Sequence, residues 1–259
     1  MCYDISFTVN IKQLSDYFPD LIFDDQIEMN FEPVHIIGHD YGLHPIIYKN
    51  REDEKLHCKL MEWGCIPFYV KDESLYKKQR AAMLNARSER ILGDTKSYWY
   101  KIRNRRCLIP MTGFYEHRKV KGIVKKVPYF VSLKEQQTFF LPGLYSVAEL
   151  PDKETSEIEK RFTYTLITRA ANALMKEIHN DGDNKWRMPL MLPFELSKKW
   201  VNDELSEEEY KAILNYEMQP EAMNYLPVYT IRSPKERPDA KAKNEYWEWE
   251  KLPEISIIH

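Results

Sequence analysis

The reactive side chain with the most unusual placement in this 259-residue chain is Cys2. Removal of Met1 would make Cys2 a 1,2-aminothiol, in which an amine and a thiol that ordinarily titrate at about pH 8 and about pH 8.5 are neighbours. Such an amine condenses with an aldehyde to an imine, and the sulfur then closes a five-membered thiazolidine. The same residue could act as a nucleophile in acyl transfer. The alternative is an idle buried cysteine, which is common in proteins.

Two further residues have the chemistry of an acid–base pair. Glu116 lies in the apolar run 113–117, where burial would raise its pKa toward the range of a general acid or base. His179 follows the helical segment 172–178, whose dipole favours a charged imidazole that titrates near neutral pH. The alternatives are a solvent-facing Glu116 and a His179 that only caps its helix.

Polar residues alternate in the segment 85–89, where Asn85 can donate and accept hydrogen bonds and Arg87 can bind a phosphate bidentately. The alternative is a polar loop that enters a helix with Asn85 as its cap. The sequence contains no P-loop, G-x-G-x-x-G or G-x-S-x-G pattern, so NTPase, dinucleotide and hydrolase-fold functions have no support. The cysteines at 2, 58, 65 and 107 lack ligand spacing, and we expect no metal, cofactor or disulfide.

The elements that must position these residues are short strands and helices. β-branched and aromatic residues predict strands over 58–63, 106–110, 113–117, 128–133, 138–145, 162–168 and 226–231. The polar turn 134–137 predicts a hairpin between the fourth and fifth of these, and a tight bend joins the second and third.

Apolar residues at helical spacing predict helices over 11–18, 94–103, 172–178 and 194–214. Strands and helices are mixed without regular βαβ alternation, which predicts an α+β fold with a mixed, barrel-like sheet and peripheral helices. No linker divides the chain, so we expect a single domain over 1–259.

Charge is unevenly distributed along the chain. Residues 77–106 contain ten basic and two acidic side chains, a net charge of +8. Because the whole chain has a formal net charge of −2, the residues outside this segment sum to −10. The segment, which ends in Arg105 and Arg106, predicts a positive groove for phosphates; the alternative is a solvated face. Phe68 and Tyr69, just after Pro67, are candidates for stacking on bases, whereas Trp63 is expected in the core.

Composition and termini favour an ordinary globular protein. No apolar run approaches the roughly 20 residues of a membrane helix, and the first ten residues do not resemble a secretory signal. We therefore expect a cytoplasmic protein with reduced cysteines and no membrane partner.

Five ordered blocks follow the initial Met1-Cys2 and form a specific pattern: EWGCIP at 62–67, NARSE at 85–89, RRCLIPMTGFYE at 105–116, IHN at 178–180 and RMPL at 187–190. This pattern resembles the SOS-response-associated peptidase (SRAP) family of abasic-site-shielding proteins. The matches are strongest over 2–192, and the tail at about 232–259 is expected to pack on the domain or extend from it.

We expect a monomer. The resemblance implies that the protein has the SRAP fold and recognises abasic sites in single-stranded DNA. Its N-terminal cysteine would crosslink to the ring-opened sugar aldehyde as a thiazolidine, after an autoproteolytic (hydrolase) step that removes Met1. Crosslink reversal and a lyase activity are also implied. The implied catalytic residues are Cys2, Asn85, Glu116 and His179, and the implied DNA contacts include Arg87, as a phosphate contact, and Thr168, near the lesion.

Two alternatives remain open: a cysteine peptidase that acts on other proteins, and a noncovalent reader of modified DNA or RNA. The sequence also departs from the family pattern. Asp4 stands where an arginine is common and is expected to repel a phosphate, and 181–186 resembles a small insertion before RMPL.

Overall fold

The computed structural model describes residues 2–24, 27, 34–152, 155–202, 204–233 and 236–256. The strands are β1 (Asp4–Ser6), β2 (Ile22–Phe23), β3 (Ile36–Ile37), β4 (Leu43–Lys49), β5 (Leu56–Trp63), β6 (Asn85–Arg87), β7 (Arg106–Met111), β8 (Gly113–Arg118), β9 (Val127–Leu133), β10 (Phe139–Pro151), β11 (Ile158–Ala170), β12 (Arg187–Pro189) and β13 (Met223–Pro227). The α-helices are α1 (Leu14–Tyr17), α2 (Glu73–Arg80), α3 (Glu89–Leu92), α4 (Tyr98–Lys101), α5 (Ala173–Ile178), α6 (Phe194–Asn202) and α7 (Glu207–Leu214). Met1, and with it the predicted cleavage point, lies outside the described residues.

Five strands close into a barrel. The order β5–β4–β7–β10–β11 is antiparallel throughout. A parallel pairing of β11 with β5, in which Tyr164 lies opposite Trp63, joins the two ends. Closure leaves no free edge among these strands. The prediction of a single α+β domain with a barrel-like sheet and peripheral helices is confirmed.

A second sheet, in the order β13–β9–β8–β1–β3, stands beside the barrel. The chain passes from the barrel strand β7 into β8 through Thr112, whose amide donates to the Ser6 carbonyl at 2.8 Å. Ile5 of β1 lies opposite Phe114 of β8. This register brings the beginning of the chain next to the strand that carries Glu116.

Trp63 links the barrel core to the strand β6. Its side chain is fully buried, and its ring stacks on Tyr164 with centroids 6.0 Å apart. The indole Nε1 donates to the carbonyl of Leu84 at 2.9 Å. A buried indole needs such a partner, and this one fixes the residue immediately before Asn85. The prediction that Trp63 belongs to the core is confirmed.

The predicted hairpin across 134–137 is wrong. β9 pairs with β8 and β13 in the second sheet, whereas β10 pairs with β7 and β11 in the barrel. The polar turn therefore connects two sheets. The strand predicted over 226–231 is also misplaced, since β13 ends at Pro227.

Two predicted helices are shorter than their apolar spacing indicates. The segment 94–103 contains only α4, with Ser97 as its N-cap. The segment 194–214 is divided into α6 and α7, because Ser206 forms a capping box with Glu209 and starts a new helix. Within the described part of the chain, no helix has the length and apolarity to cross a membrane.

The C-terminal segment contacts the second sheet. The indole of Trp249 donates to the Val228 carbonyl at 2.9 Å, and Arg118 of β8 donates to the Pro253 carbonyl at 2.8 Å. Val228 also forms an isolated bridge with Tyr246. These contacts place the segment over the sheet that carries Glu116.

Candidate functional site

β1 and β6 bring Cys2 and Asn85 together. The Asn85 side-chain amide donates to the Cys2 carbonyl at 3.0 Å, and the Cys2 side chain is fully buried. Asn85 belongs to a strand, since β6 pairs in parallel with β11 and places it opposite Leu166; the alternative of a helix cap is therefore wrong. Its Oδ1 is buried and accepts no hydrogen bond from the described residues, which leaves an acceptor beside Cys2.

Glu116 and His179 meet in the same region. His179 Nε2 lies 3.9 Å from Glu116 Oε2, and both side chains are buried. His179 Nδ1 lies 2.8 Å from the Arg187 carbonyl, which can only accept. We therefore assign the hydrogen to Nδ1, so that Nε2 of the neutral ring directs its lone pair toward Glu116. Cys2, Asn85, Glu116 and His179 are termed the reactive cluster below.

Local capping places His179. Asn172 Oδ1 accepts from the Met175 amide at 2.9 Å and so begins α5. Its Nδ2 donates to the Met218 carbonyl at 2.7 Å. α5 is only six residues long, and His179 is its C-cap residue. One buried asparagine therefore anchors the start of the short helix that ends at the imidazole.

Burial sets the protonation of the reactive cluster. Desolvation raises the pKa of Glu116 to about 7, as the sequence predicts. Desolvation lowers the pKa of His179 to about 4, so the predicted charged imidazole that titrates near neutrality is wrong. Burial outweighs the dipole of so short a helix. The pKa of the Cys2 thiol is raised well above its usual value by desolvation and then by the charge of Glu116. Glu116 is thus the group of the three that titrates near pH 7.

Arg87 and Thr168 lie next to the reactive cluster on paired strands. Arg87 is exposed, and its guanidinium donates to Asn184 Oδ1 at 3.2 Å. Thr168 is fully buried; its hydroxyl lies 3.4 Å from the Ala86 carbonyl. The structure therefore offers Arg87 to a ligand and encloses the Thr168 side chain.

Arg187 and Glu89 are site residues that the sequence reasoning missed. The Arg187 guanidinium pairs with Glu89 (Nη2 to Oε2, 3.0 Å) and donates to the Thr168 carbonyl at 2.8 Å. The backbone carbonyl of Arg187 accepts the hydrogen bond from His179 Nδ1. Glu89 lies in the block NARSE and Arg187 in the block RMPL, both of which carry the family resemblance. Membership in these blocks could have identified the two residues from the sequence.

The remaining predicted DNA contacts lie elsewhere. Arg106 places its guanidinium 5.8 Å and 5.4 Å from rings of α6 and α7, beside a cavity of about 520 Å³. Arg105 lies 5.8 Å from the Tyr145 ring and shares a second cavity with Phe68. Phe68 and Tyr69 are exposed and contact each other. Each of these ring contacts is made with a residue outside the reactive cluster.

Asp4 is neutralised by two partners. Arg232 pairs with both carboxylate oxygens at 2.7 Å and 3.0 Å, and His35 Nε2 lies 2.8 Å from Oδ1. Burial alone would raise the pKa of Asp4, but these hydrogen bonds hold it below its usual range. The charge that was expected to repel a phosphate is therefore compensated.

Metal-binding geometry is not evident in the described residues, which contain no group of three or more His, Cys, Asp or Glu side chains able to hold an ion. The four cysteines are free and buried.

Solved structures share this fold. A crystal structure of a protein from Bacteroides thetaiotaomicron aligns with a TM-score of 0.76 and 27% identity, covering 94% of this chain and 97% of that one. A crystal structure from Bordetella bronchiseptica, with a TM-score of 0.68 and 17% identity over 88% of this chain and 100% of that one, supports the fold alone.

Sequence comparisons identify the family. The chain is similar to the abasic site processing protein YoqW of Bacillus subtilis, with 32% identity over 173 residues, 67% of this chain and 68% of that protein. The abasic site processing protein YMR114C of Saccharomyces cerevisiae is 31% identical over 59% of this chain and 36% of its own length. The sequence model of the SOS response associated peptidase (SRAP) family matches residues 1–232. This chain therefore belongs to the SRAP family.

Proposed function

We propose that the protein processes abasic sites in single-stranded DNA and crosslinks to them through Cys2 after Met1 is removed. The observation that carries the proposal is the position of Cys2, whose carbonyl is held by Asn85 at 3.0 Å in a site that contains a buried carboxyl group with a pKa of about 7. The names of the relatives, abasic site processing proteins, supply the substrate.

In the proposed crosslinking reaction, Glu116 first donates a proton and then recovers one. The Cys2 amine attacks C1′ of the ring-opened sugar, and the carbinolamine loses its hydroxyl as water when protonated Glu116 donates a proton. The thiol sulfur then attacks the iminium carbon, and the thiol proton passes to the Glu116 carboxylate. One C–N and one C–S bond form, one water leaves, and Glu116 returns to its protonated form. A pKa of about 7 suits a group that must both give and take a proton at neutral pH.

His179 and Asn85 support this sequence as positioning residues. Neutral His179 directs the lone pair of Nε2 toward Glu116 Oε2, 3.9 Å away, and adds no positive charge that would fix Glu116 as a carboxylate. Asn85 holds the Cys2 carbonyl, and its open Oδ1 can accept from a sugar hydroxyl. Reversal follows the same steps backwards, with Glu116 protonating the departing sulfur.

Removal of Met1 is the hydrolytic step that the proposal requires. Attack of the Cys2 thiol on the Met1 carbonyl transfers the acyl group to sulfur and frees the amine, and water then hydrolyses the thioester. The raised pKa of the thiol means that a base must take its proton. If the imine does not close to the thiazolidine, β-elimination at the sugar would break the C3′–O bond and cleave the DNA strand. This strand cleavage is the implied lyase activity.

The test is incubation of the purified full chain with single-stranded DNA that carries one abasic site, followed by denaturing electrophoresis and intact mass spectrometry. We expect a shifted band, loss of Met1, and no band with intact DNA or with Cys2→Ala. A band that persists in Cys2→Ala would contradict the assigned nucleophile. No band with Met1 confirmed absent would contradict crosslinking, and salt-sensitive binding in that case would favour a noncovalent reader.

A further inference from the structure

The loop 180–186 separates His179 from Arg187 and is fastened at several points. Its side chains contact two neighbouring parts of the molecule: Asn180 exchanges hydrogen bonds with the backbone of Lys119 (2.8 and 3.0 Å), Asp181 pairs with Lys126 (2.8 Å), and Asn184 accepts from Arg87 (3.2 Å). The loop therefore spans from the basic segment after β8 to the strand β6.

Trp186 ends this loop in a strained backbone conformation. Its φ is 62°, in the left-handed region that bulky residues rarely occupy. Its amide donates to the His179 carbonyl at 2.8 Å, and its carbonyl accepts from Ala171 at 2.9 Å. Both polar backbone groups are thus fixed, and the residue is held rigidly between the helix α5 and the strand β12.

The Trp186 side chain is nevertheless presented to solvent. It is 51% exposed, in contrast to Trp63 and Trp200, which are fully buried. Lys185 Nζ lies 4.4 Å from its ring centroid and adds a positive charge. A large aromatic surface held in a strained conformation, without burial to stabilise it, indicates a binding role.

The loop lies on the side of β6 that belongs to the reactive cluster. Successive side chains of a strand alternate between its faces, so Asn85 and Arg87 project to the same side. Asn85 contacts Cys2 on this side, and Arg87 contacts Asn184 of the loop. Trp186 follows Asn184 by two residues and is hydrogen-bonded to His179 itself.

We propose that Trp186 stacks against a base that flanks the abasic position in single-stranded DNA. The inference rests on the proposed function and adds to it a contact that recognises the neighbouring nucleotide. The abasic nucleotide offers no ring, whereas its neighbours have exposed π-faces that stack on aromatic side chains with little regard to sequence. Lys185 within the loop and Arg87, which donates to Asn184 of the loop, provide cations for the adjoining phosphates.

The test measures the affinity of the full chain for single-stranded DNA with a central tetrahydrofuran abasic analogue, which cannot form an imine. One oligonucleotide has adenines on both sides of the analogue, and the other has further tetrahydrofuran positions there. We expect the wild-type protein to bind the first about tenfold more tightly, a typical effect of one stacked base. Trp186→Asn, which suits a left-handed backbone, should lose this preference, and Trp186→Phe should regain most of it.

The matched control is Tyr246→Ala, which removes a ring of similar exposure in the C-terminal segment and should keep the tenfold preference. Equal losses of affinity for both oligonucleotides in Trp186→Asn would indicate a merely structural role and overturn the inference, as would a preference that persists in that variant. Crosslinking to a natural abasic site, measured in parallel, separates the two proposals. If the protein crosslinks but binds both oligonucleotides equally well, only the stacking proposal is contradicted. If it prefers the oligonucleotide with adenines but does not crosslink, only the covalent function is contradicted. If it neither crosslinks nor binds either oligonucleotide, both proposals are contradicted.

Discussion

At the scale of single residues, the proposed reaction depends on the protonation of Glu116. The group must release a proton to the leaving hydroxyl and recover one from a thiol whose own pKa is raised. We expect Glu116→Gln to slow crosslinking by about 10²-fold or more, the usual contribution of a positioned general acid or base, while the affinity for the tetrahydrofuran oligonucleotide is unchanged. Single-turnover crosslinking rates test this, and a Gln variant as fast as wild type would exclude the role.

The same substitution should change the dependence of stability on pH. The pKa of Glu116 is about 7 in the folded chain against an ordinary value of 4.5, so its contribution to the free energy of unfolding is lost as pH rises from 4.5 to 7. The loss is about 3 kcal/mol. We expect Glu116→Gln to be more stable than wild type at pH 8 and to show no such loss. Denaturant unfolding at pH 5 and pH 8 measures this, with the exposed Glu157→Gln as control.

His179 should act in the opposite direction. Its folded pKa of about 4 lies below the ordinary 6.5, so the folded state binds fewer protons and gains stability as pH rises from 4 to 6.5. In the wild type this gain offsets part of the loss from Glu116. We expect His179→Asn to reveal a steeper loss of stability between pH 4.5 and pH 7. A variant whose unfolding profile parallels that of wild type would contradict the burial of a neutral imidazole.

At the scale of elements, a partly buried ion network connects β5, β11 and the helix α2. Arg80 and Arg161 both pair with Glu62 and Glu73. Arg80 also donates to the Gly64 carbonyl at 3.3 Å. Because α2 leads through the turn Ala81–Met83 into β6, the network fixes the approach of the strand that carries Asn85.

Breaking this network should therefore affect both stability and the reactive cluster. Arg80→Met would leave two partly buried carboxylates with one cation fewer, at a cost of about 2 kcal/mol in the free energy of unfolding, the usual range for hydrogen bonds to charged groups. Crosslinking should slow in the same variant, because β6 loses its support. Chemical denaturation and crosslinking rates measure the two effects, and Lys77→Met, on the exposed side of α2, is the matched control. A stable Arg80→Met with wild-type rates would show that the network does not position β6.

Local patterns predicted the elements better than their partners. The apolar and β-branched runs located β5, β7, β8, β9, β10 and β11. The initial Met1-Cys2 and the ordered blocks together located the four residues of the reactive cluster. The hairpin failed because turn residues specify a reversal of the chain but not the sheet that the next strand joins. Closure of the barrel rests on Trp63 and Tyr164, about a hundred residues apart, a pairing that no local signal encodes. The lowered pKa of His179 likewise depends on burial by distant segments.

At the scale of the whole molecule, the arginines of the basic segment 77–106 differ in their surroundings. Arg80 is enclosed by carboxylates, Arg90 pairs with Asp94, and Arg106 lies against aromatic rings. Arg87 remains exposed beside the reactive cluster, with a neutral side chain as its partner. Part of the positive charge of this segment is thus engaged in contacts within the fold, whereas Arg87 is an exposed cation beside the site.

This division predicts which arginine governs DNA affinity. In Cys2→Ser, which keeps binding reversible, the logarithm of the association constant should fall linearly with the logarithm of salt concentration, and Arg87→Gln should reduce the slope by about 0.7, the value for one phosphate contact on a single strand. Arg106→Gln should leave the slope unchanged, because its guanidinium is packed against α6 and α7. Anisotropy titrations at several salt concentrations measure both slopes. If Arg106→Gln also reduced the slope, the bound DNA strand would have to cross the cavity beside α6 and α7. That result would contradict binding on the face that Arg87 and Asn85 share.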